Sequence, residues 1–186
     1  MPYNPVRAAH VIAFFALREG GSINVLKAIK LVYLADRESI RLRGHPILDE
    51  PRYSLPHGPV NSVTLDHLNG AYRENQETWQ SILDARAGNN VGLSDCELSE
   101  ATLDSLSERE ISILDEVWQR LGHMDRFELA EWTHVPENVP EWQDPNGSRR
   151  PISLERMMAA VGLDQPIERA REHNSLKNAQ SLLASL

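Results

Sequence analysis

Polar residues interrupt the most apolar stretch of this sequence at helical spacing. The segment KLVYLADR places Lys30, Tyr33 and Arg37 on one line of a helix, with Asp36 close to that line. Because a buried cation is costly unless it is paired, we expect Lys30 to reach solvent or to meet a carboxylate. The line is either a polar recognition strip on a concave face or a snorkelling lysine beside a core tyrosine. Periodicity alone favours the second interpretation.

Two further segments combine turn residues with side chains that could bind a ligand or a partner. PHGPV, residues 56–60, leads into an expected helix whose N-terminus could bind an anion, but Pro59 lacks an amide proton, which favours a purely structural turn. THVPENVPEW places His134 and Trp142 in a proline-rich turn, and a tryptophan there is either an interface anchor or a core residue. The candidate partner-binding residues are Lys30, Tyr33, Asp36, Arg37, His57, His134 and Trp142. The structural turn motif is Gly58, Pro59 and Val60.

Catalytic and metal-binding motifs are missing from the sequence. It contains no GxxxxGK[ST], GxGxxG, GxSxG or HExxH pattern, and no two of its seven histidines are four residues apart. A site built from His57, His134 and a carboxylate is an alternative to separate structural histidines, which we favour. Cys96 is the single cysteine, so no intrachain disulfide can form, and its acidic neighbours favour an ordinary thiol. We expect no catalytic residue, no metal and no cofactor.

Composition limits the class of protein further. The 186 residues are 41% hydrophobic and 25% charged, which is typical of a folded soluble domain. The net charge of −8 argues against a nucleic-acid partner, because phosphate binding needs a basic face. The apolar stretch from Ala8 to Leu17 is too short to span a bilayer and has no basic leader, so we expect a cytoplasmic protein without membrane association.

Capping residues and apolar stripes predict a mainly α fold: a single compact, irregular helical domain. The expected helices begin near Asn4, Ser22 or Asn24, Pro59, Ser107, Asp125, Ser153 and Asp164. A loop with a short strand at 52–55 and one small β-hairpin within 79–98 complete the pattern. Basic residues cluster at 37–43 and acidic residues at 95–116 and 128–144, so we expect the acidic second half to meet a basic partner.

The order of these segments resembles a known family. An apolar first helix, then KAIKLVYLADRESIRLRGHPI, then PHGPV, and finally LSEREISILDEVWQRLGHMDRFELAEWTHVPENVPEW are similar to the Panacea domain, the SocA-like antitoxin-associated domain of bacteria and their phages. No single motif is specific, but their order is. The resemblance extends from Asn4 to Trp142 and suggests a Panacea domain at 1–150 and a C-terminal helical extension at 151–186 packed on it.

The resemblance implies a predominantly helical, non-catalytic antitoxin that neutralises a cognate protein toxin by direct contact. At least one type in this family also delivers its toxin to a cytosolic protease, so a protease is a second expected partner. Two alternatives stay open. One is a small ligand-binding protein or hydrolase with a groove formed by Lys30, Tyr33, Asp36 and His57. The other is a scaffold that binds a partner helix through Met157 and Met158, although a core role is favoured for both methionines.

Overall fold

The computed structural model describes residues 3–72, 75–95 and 97–184, and Cys96 lies outside them. The described part is mainly helical, as the sequence predicts. Its α-helices are α1 (Pro5–Arg18), α2 (Val25–Arg43), α3 (Ser62–Leu68), α4 (Gln76–Gln80), α5 (Glu108–Leu121), α6 (Arg126–Trp132), α7 (Leu154–Ala160) and α8 (Pro166–Ala184). Its strands are β1 (Ser22–Asn24), β2 (Arg52–Leu55), β3 (Gly58–Asn61), β4 (Asn90–Gly92) and β5 (Arg150–Ile152). A short 3-10 helix spans Glu100–Thr102.

The helix starts that depend on local capping are confirmed. Asn4 caps α1 and Asn24 caps α2 through side-chain oxygens that accept backbone amides. Ser107 and Asp125 form capping boxes at the starts of α5 and α6. Gly44 ends α2 in the left-handed conformation, with φ of 76°. These features involve residues within a few positions of each other, so the sequence alone indicates them.

The expected helix from Pro59 is wrong at its start. Residues 58–61 instead form β3, which pairs antiparallel with β2 so that Tyr53 lies opposite Val60, and the helix begins only at Ser62. On the other side of β2 lies β5, which the sequence patterns did not predict. The resulting sheet has the order β3-β2-β5. Pairing with a strand almost 100 residues away along the chain leaves no local signal.

The second strand of the hairpin expected within 79–98 pairs mainly with a strand outside that segment. Its second arm forms β4, which pairs antiparallel with β1, so that Ile23 lies opposite Val91. Within the described residues of this segment, the two arms of the expected hairpin are joined by the isolated bridges Leu83–Leu93 and Ala87–Asn90. Because Ile23 and Val91 are both buried, the β1–β4 pairing adds apolar contact to its backbone hydrogen bonds.

Helix α2 is the centre of the core. It contacts α1, α5, α6 and α7, and its residues from Ala28 to Asp36 are all buried, including the polar Lys30 and Asp36. Met157 and Met158 on α7 have no exposed surface, so the scaffold hypothesis based on a methionine face is wrong. None of the described helices is long and apolar enough to cross a membrane.

The basic and acidic clusters partly neutralise each other. Arg37 pairs with Glu141 at 2.8 Å, and Arg43 pairs with Glu110 at 2.7 Å. Both pairs join the basic end of α2 to the acidic second half of the chain. The acidity of that half is therefore used in part to hold α2, and less of it is free for a partner.

Candidate functional site

The candidate residues converge where α2, the β2–β3 turn and the segment 133–143 meet. Lys30 has no exposed surface, and its Nζ donates a hydrogen bond to the carbonyl oxygen of Pro59 at 2.9 Å. The expectation that Lys30 reaches solvent or a carboxylate is therefore wrong. Burial lowers the pKa of Lys30 to about 7, so the amine can lose its charge and be satisfied by a neutral carbonyl.

Gly58 allows the β2–β3 turn to approach Lys30 this closely. Its φ is 96°, and a Cβ at this position would overlap Oγ1 of Thr133 and lie 3.1 Å from Cε and Nζ of Lys30. Only glycine fits such a backbone conformation without strain. The GPV motif therefore has a physical explanation: it places the turn directly on α2 and on the end of α6.

Glu141 ties the segment 133–143 to α2. Its Oε1 accepts hydrogen bonds from the hydroxyl of Tyr33 at 2.9 Å and from Nε of Arg37 at 2.8 Å. Burial, together with the nearby Glu141 carboxylate, holds the pKa of Tyr33 well above its usual range. Sequence reasoning missed Glu141, although a buried tyrosine and an arginine on one helical line require an acceptor of this kind.

Asp36 joins the loop after α2 to the three-stranded sheet. It accepts hydrogen bonds from the amide of Leu48 at 2.7 Å, from Nη2 of Arg52 at 2.8 Å and from Nδ2 of Asn61 at 2.8 Å. All of these bonds are buried. Asp36 thus fixes the start of β2 and the end of β3 against α2.

Glu50 is a second buried carboxyl group beside this network. Its Oε2 accepts a hydrogen bond from the amide of Thr64 at 2.9 Å. Burial raises the pKa of Glu50 to about 7, although the hydrogen bonds from Thr64 act in the opposite direction. The sequence analysis did not single out Glu50.

His134 and Trp142 pack against each other at the surface of the β2–β3 turn. Their ring centroids are 4.4 Å apart, and Nε1 of Trp142 donates to the carbonyl oxygen of Leu55 at 3.2 Å. Burial lowers the pKa of His134, and the charges of Lys30 and His57 act in the same direction. Nε2 of His134 is buried without a hydrogen-bond partner among the described residues.

The candidate residues therefore form an outer and a buried layer along the β2–β3 hairpin. His57 is exposed, and Arg37, His134 and Trp142 are half-buried. The buried layer consists of Lys30, Tyr33, Asp36, Gly58, Pro59 and Val60. Within the ranges that the structure describes, no group of three or more histidine, cysteine, aspartate or glutamate residues is placed to hold a metal ion.

A cavity of about 420 Å³ opens next to this site, and both Lys30 and His57 line it. Tyr33 and Asp36 do not line it, and their polar atoms are engaged in the buried networks. The hydrolase alternative required all four residues in one groove, and the geometry places them in two separate environments. Arg126 and Phe127, which also line the cavity, were missed by sequence reasoning, although their position directly after the Asp125 cap placed them on a helix start.

The comparisons with known proteins agree with the resemblance. A protein-family model described as "Antitoxin SocA-like, Panacea domain" matches residues 29–143, which is more than half of the chain. This match begins within α2, whereas the resemblance was expected from Asn4, and it ends directly after Trp142. No curated protein and no solved structure gave a match. The family match spans Lys30, the β2–β3 turn and Glu141, and the chain therefore belongs to the SocA-like antitoxin family with a Panacea domain.

Proposed function

We propose that this protein is the antitoxin of a bacterial or phage toxin–antitoxin system and neutralises its cognate toxin by direct binding in the cytoplasm. The observation that carries the proposal is the family match over residues 29–143. Membership of an antitoxin-like family favours a binding role over a catalytic one. It also implies a protein toxin as the partner, without naming the toxin.

The outer layer of the site supplies the contacts in this proposal. Histidine, arginine and tryptophan side chains that are half-buried in the free protein can become fully buried against a partner, and such side chains contribute strongly to binding. Arg37, His134 and Trp142 have this exposure, and His57 on the β2–β3 turn is exposed. The buried layer, which includes Tyr33, holds the β2–β3 hairpin against α2. In this proposal it positions the outer residues and does not itself contact the toxin.

The test is co-expression of the chain with the product of the neighbouring gene. We expect that product alone to stop growth, and the intact chain to restore growth and to co-purify with it. His57→Glu is expected to weaken the rescue, because it places a charge on the exposed turn. His123→Glu is the matched control, since His123 is also exposed but lies between α5 and α6. A neighbouring product that is not toxic, or a chain that neither rescues nor co-purifies, would contradict the proposal.

A second measurement separates occlusion from delivery to a protease. If the chain is also an adaptor, the half-life of the toxin in cells should shorten when the chain is co-expressed, and it should recover when the cytosolic protease is inactivated. An unchanged toxin half-life together with full rescue of growth would assign neutralisation to occlusion alone.

A further inference from the structure

The cavity beside Lys30 is an open groove with apolar walls. It lies between the first turns of α2, the β2–β3 turn and the start of α6. The apolar side chains that form its walls are Val25, Leu26, Ile29, Leu55, Val60 and Leu65. At its rim stands Phe127, of which 58% is exposed, although large aromatic side chains are usually buried. A volume of about 420 Å³ lies in the range of sites that bind small molecules or a few side chains.

The ionisable side chains of this groove are all of basic residues. Lys30, His57, Arg86 and Arg126 line it, and no carboxylate occurs among the described lining residues. This composition contrasts with the whole chain, whose net charge is −8. We call this site the basic groove, and it consists of these four basic residues together with Phe127 and the six apolar wall residues.

Among the described residues, the hydrogen bonds and ring contacts of the two exposed arginines of the basic groove are all with neutral groups, although the charge of Arg126 also acts on the neighbouring Asp125. Arg86 donates to the carbonyl oxygen of Gly88 at 2.7 Å and to Oδ1 of Asn89 at 3.0 Å. The guanidinium of Arg126 lies 4.5 Å from the ring centroid of Phe127. Neither arginine forms a salt bridge within the described ranges, whereas the more buried Arg37 pairs with a carboxylate at 2.8 Å.

Cations that form no salt bridge in the described part of the chain, at the edge of an apolar groove, favour an acidic occupant. The low-dielectric walls concentrate the field of the arginines, and this field raises the local concentration of negative groups. Burial of large aliphatic or aromatic side chains against the apolar walls is favourable, because it removes apolar surface from water. A nucleic acid satisfies the first requirement, but the net charge of −8 opposes it.

We propose that the basic groove binds a short peptide segment of the toxin in which aspartate or glutamate side chains stand next to large apolar ones. The apolar side chains occupy the walls between α2 and the β2–β3 turn, and the carboxylates meet Arg86 and Arg126. This assignment rests on the proposed antitoxin function. It reverses the expectation, drawn from the net charge, that an acidic face meets a basic partner.

Selection from a random peptide library displayed on phage tests the chemistry of the groove without knowledge of the toxin. The full chain is the bait, and an enriched peptide is then labelled and titrated by fluorescence anisotropy. We expect the enriched peptides to combine acidic with large apolar residues. Arg126→Glu should weaken the binding of the labelled peptide by about tenfold or more, and Phe127→Ser should weaken it as well. Arg171→Glu is the matched control, because Arg171 is exposed on α8 and far from the groove in sequence, and it should change the affinity by less than about twofold.

The outcomes that overturn the proposal are distinct. Enriched peptides without acidic residues, an affinity that Arg126→Glu leaves unchanged, or no enrichment at all would each contradict it. Self-association of the chain that disappears in Arg126→Glu, measured by sedimentation, would assign the groove to a second copy instead. Thermal unfolding by circular dichroism checks that each variant is folded, and Arg86→Glu is the second variant if Arg126→Glu is not.

Growth rescue separates this inference from the proposed function. If the intact chain and Arg126→Glu neutralise the neighbouring product equally well, the antitoxin function stands and the groove is not the docking site. If the intact chain does not neutralise it, the antitoxin function fails, while the peptide selection still reports whether the groove prefers acidic and apolar segments.

Discussion

Replacing the buried Lys30 by methionine should make the protein more stable near neutral pH. Lys30 has no exposed surface, and its only hydrogen bond in the described part of the chain goes to the carbonyl oxygen of Pro59 at 2.9 Å. Methionine has a flexible stem of similar length and fills the same space without a charge. The change removes one hydrogen bond, which contributes about 1 kcal/mol, and it removes the free-energy cost of burying an amine without a carboxylate.

The size of the effect follows from the pKa of Lys30, which burial lowers from 10.5 to about 7. Each unit of difference between the folded and unfolded pKa corresponds to about 1.4 kcal/mol. At pH 7 the buried Lys30 therefore lowers the free energy of unfolding by about 4 kcal/mol, and near pH 9.5 it lowers it by about 1.4 kcal/mol. Between pH 7 and pH 9.5 the unfolded chain binds more protons than the folded one, so the stability of the wild type rises with pH. After the lost hydrogen bond is subtracted, Lys30→Met should be more stable by about 3 kcal/mol at pH 7, and nearly equal in stability at pH 9.5.

The assay is urea unfolding of the wild type and of Lys30→Met at several pH values between about 6 and 9.5. Lys27→Met is the matched control on the same helix, because Nζ of Lys27 lies 2.6 Å from Oε2 of Glu19. Removing that paired lysine should destabilise the protein by about 1–3 kcal/mol throughout the range. The reasoning is refuted if the difference in unfolding free energy between the wild type and Lys30→Met stays constant with pH, since Lys30 would then not titrate in this window.

Three further substitutions test other parts of the structure, each by the free energy of unfolding. Gly58→Ala should lower the free energy of unfolding by about 2 kcal/mol or more, because φ is 96° and the new Cβ would overlap Thr133. The control Gly88→Ala, whose Cβ would lie in open space, should lower it by about 1 kcal/mol. Equal losses would contradict the close approach of Gly58 to Thr133. Glu50→Gln should stabilise the protein by up to about 3 kcal/mol above pH 7 and have little effect near pH 4.5. The reason is that a folded pKa of about 7 makes the stability of the wild type fall as pH rises from 4.5 to 7. A difference between the two proteins that does not grow with pH would contradict the raised pKa of Glu50. Glu110→Gln should cost about 2 kcal/mol at pH 7, because Arg43, the hydrogen bonds from Ser107, and Arg7 outweigh burial and hold the pKa of this carboxyl group below its usual range. The cost should shrink in acid as the wild-type carboxylate protonates.

The elements that were predicted correctly depend on neighbouring residues. The caps at Asn24, Ser107 and Asp125 each satisfy backbone amides within three positions, so they are visible in the sequence. Strand β2 was located by its proline-rich flanks. The strands β3 and β5 were missed because they form only through pairing with β2, and Pro59 suggested a helix start instead.

The sequence proposed candidate site residues, but it did not indicate how they are arranged. Lys30 and His57 lie at the β2–β3 turn and line the cavity, whereas Tyr33 binds Glu141 and Asp36 binds the opposite end of the hairpin. The residues that sequence reasoning missed, Glu141 and Arg126 among them, carry no motif of their own. The importance of Glu141 follows from the side chains that it binds, and that of Arg126 from the absence of a salt bridge to it in the described part of the chain.

The sequence by itself determined the family, the helical class and the starts of most helices, because ordered motifs and caps are local properties of the chain. Only the tertiary structure decided which charges are paired. Tyr33 and Arg37 meet Glu141 more than 100 residues further on, and Lys30 meets a carbonyl oxygen in place of a carboxylate. Hydrogen bonds and ion pairs of this kind form between residues that packing brings together, and the cost or benefit of each depends on the burial that the same packing creates.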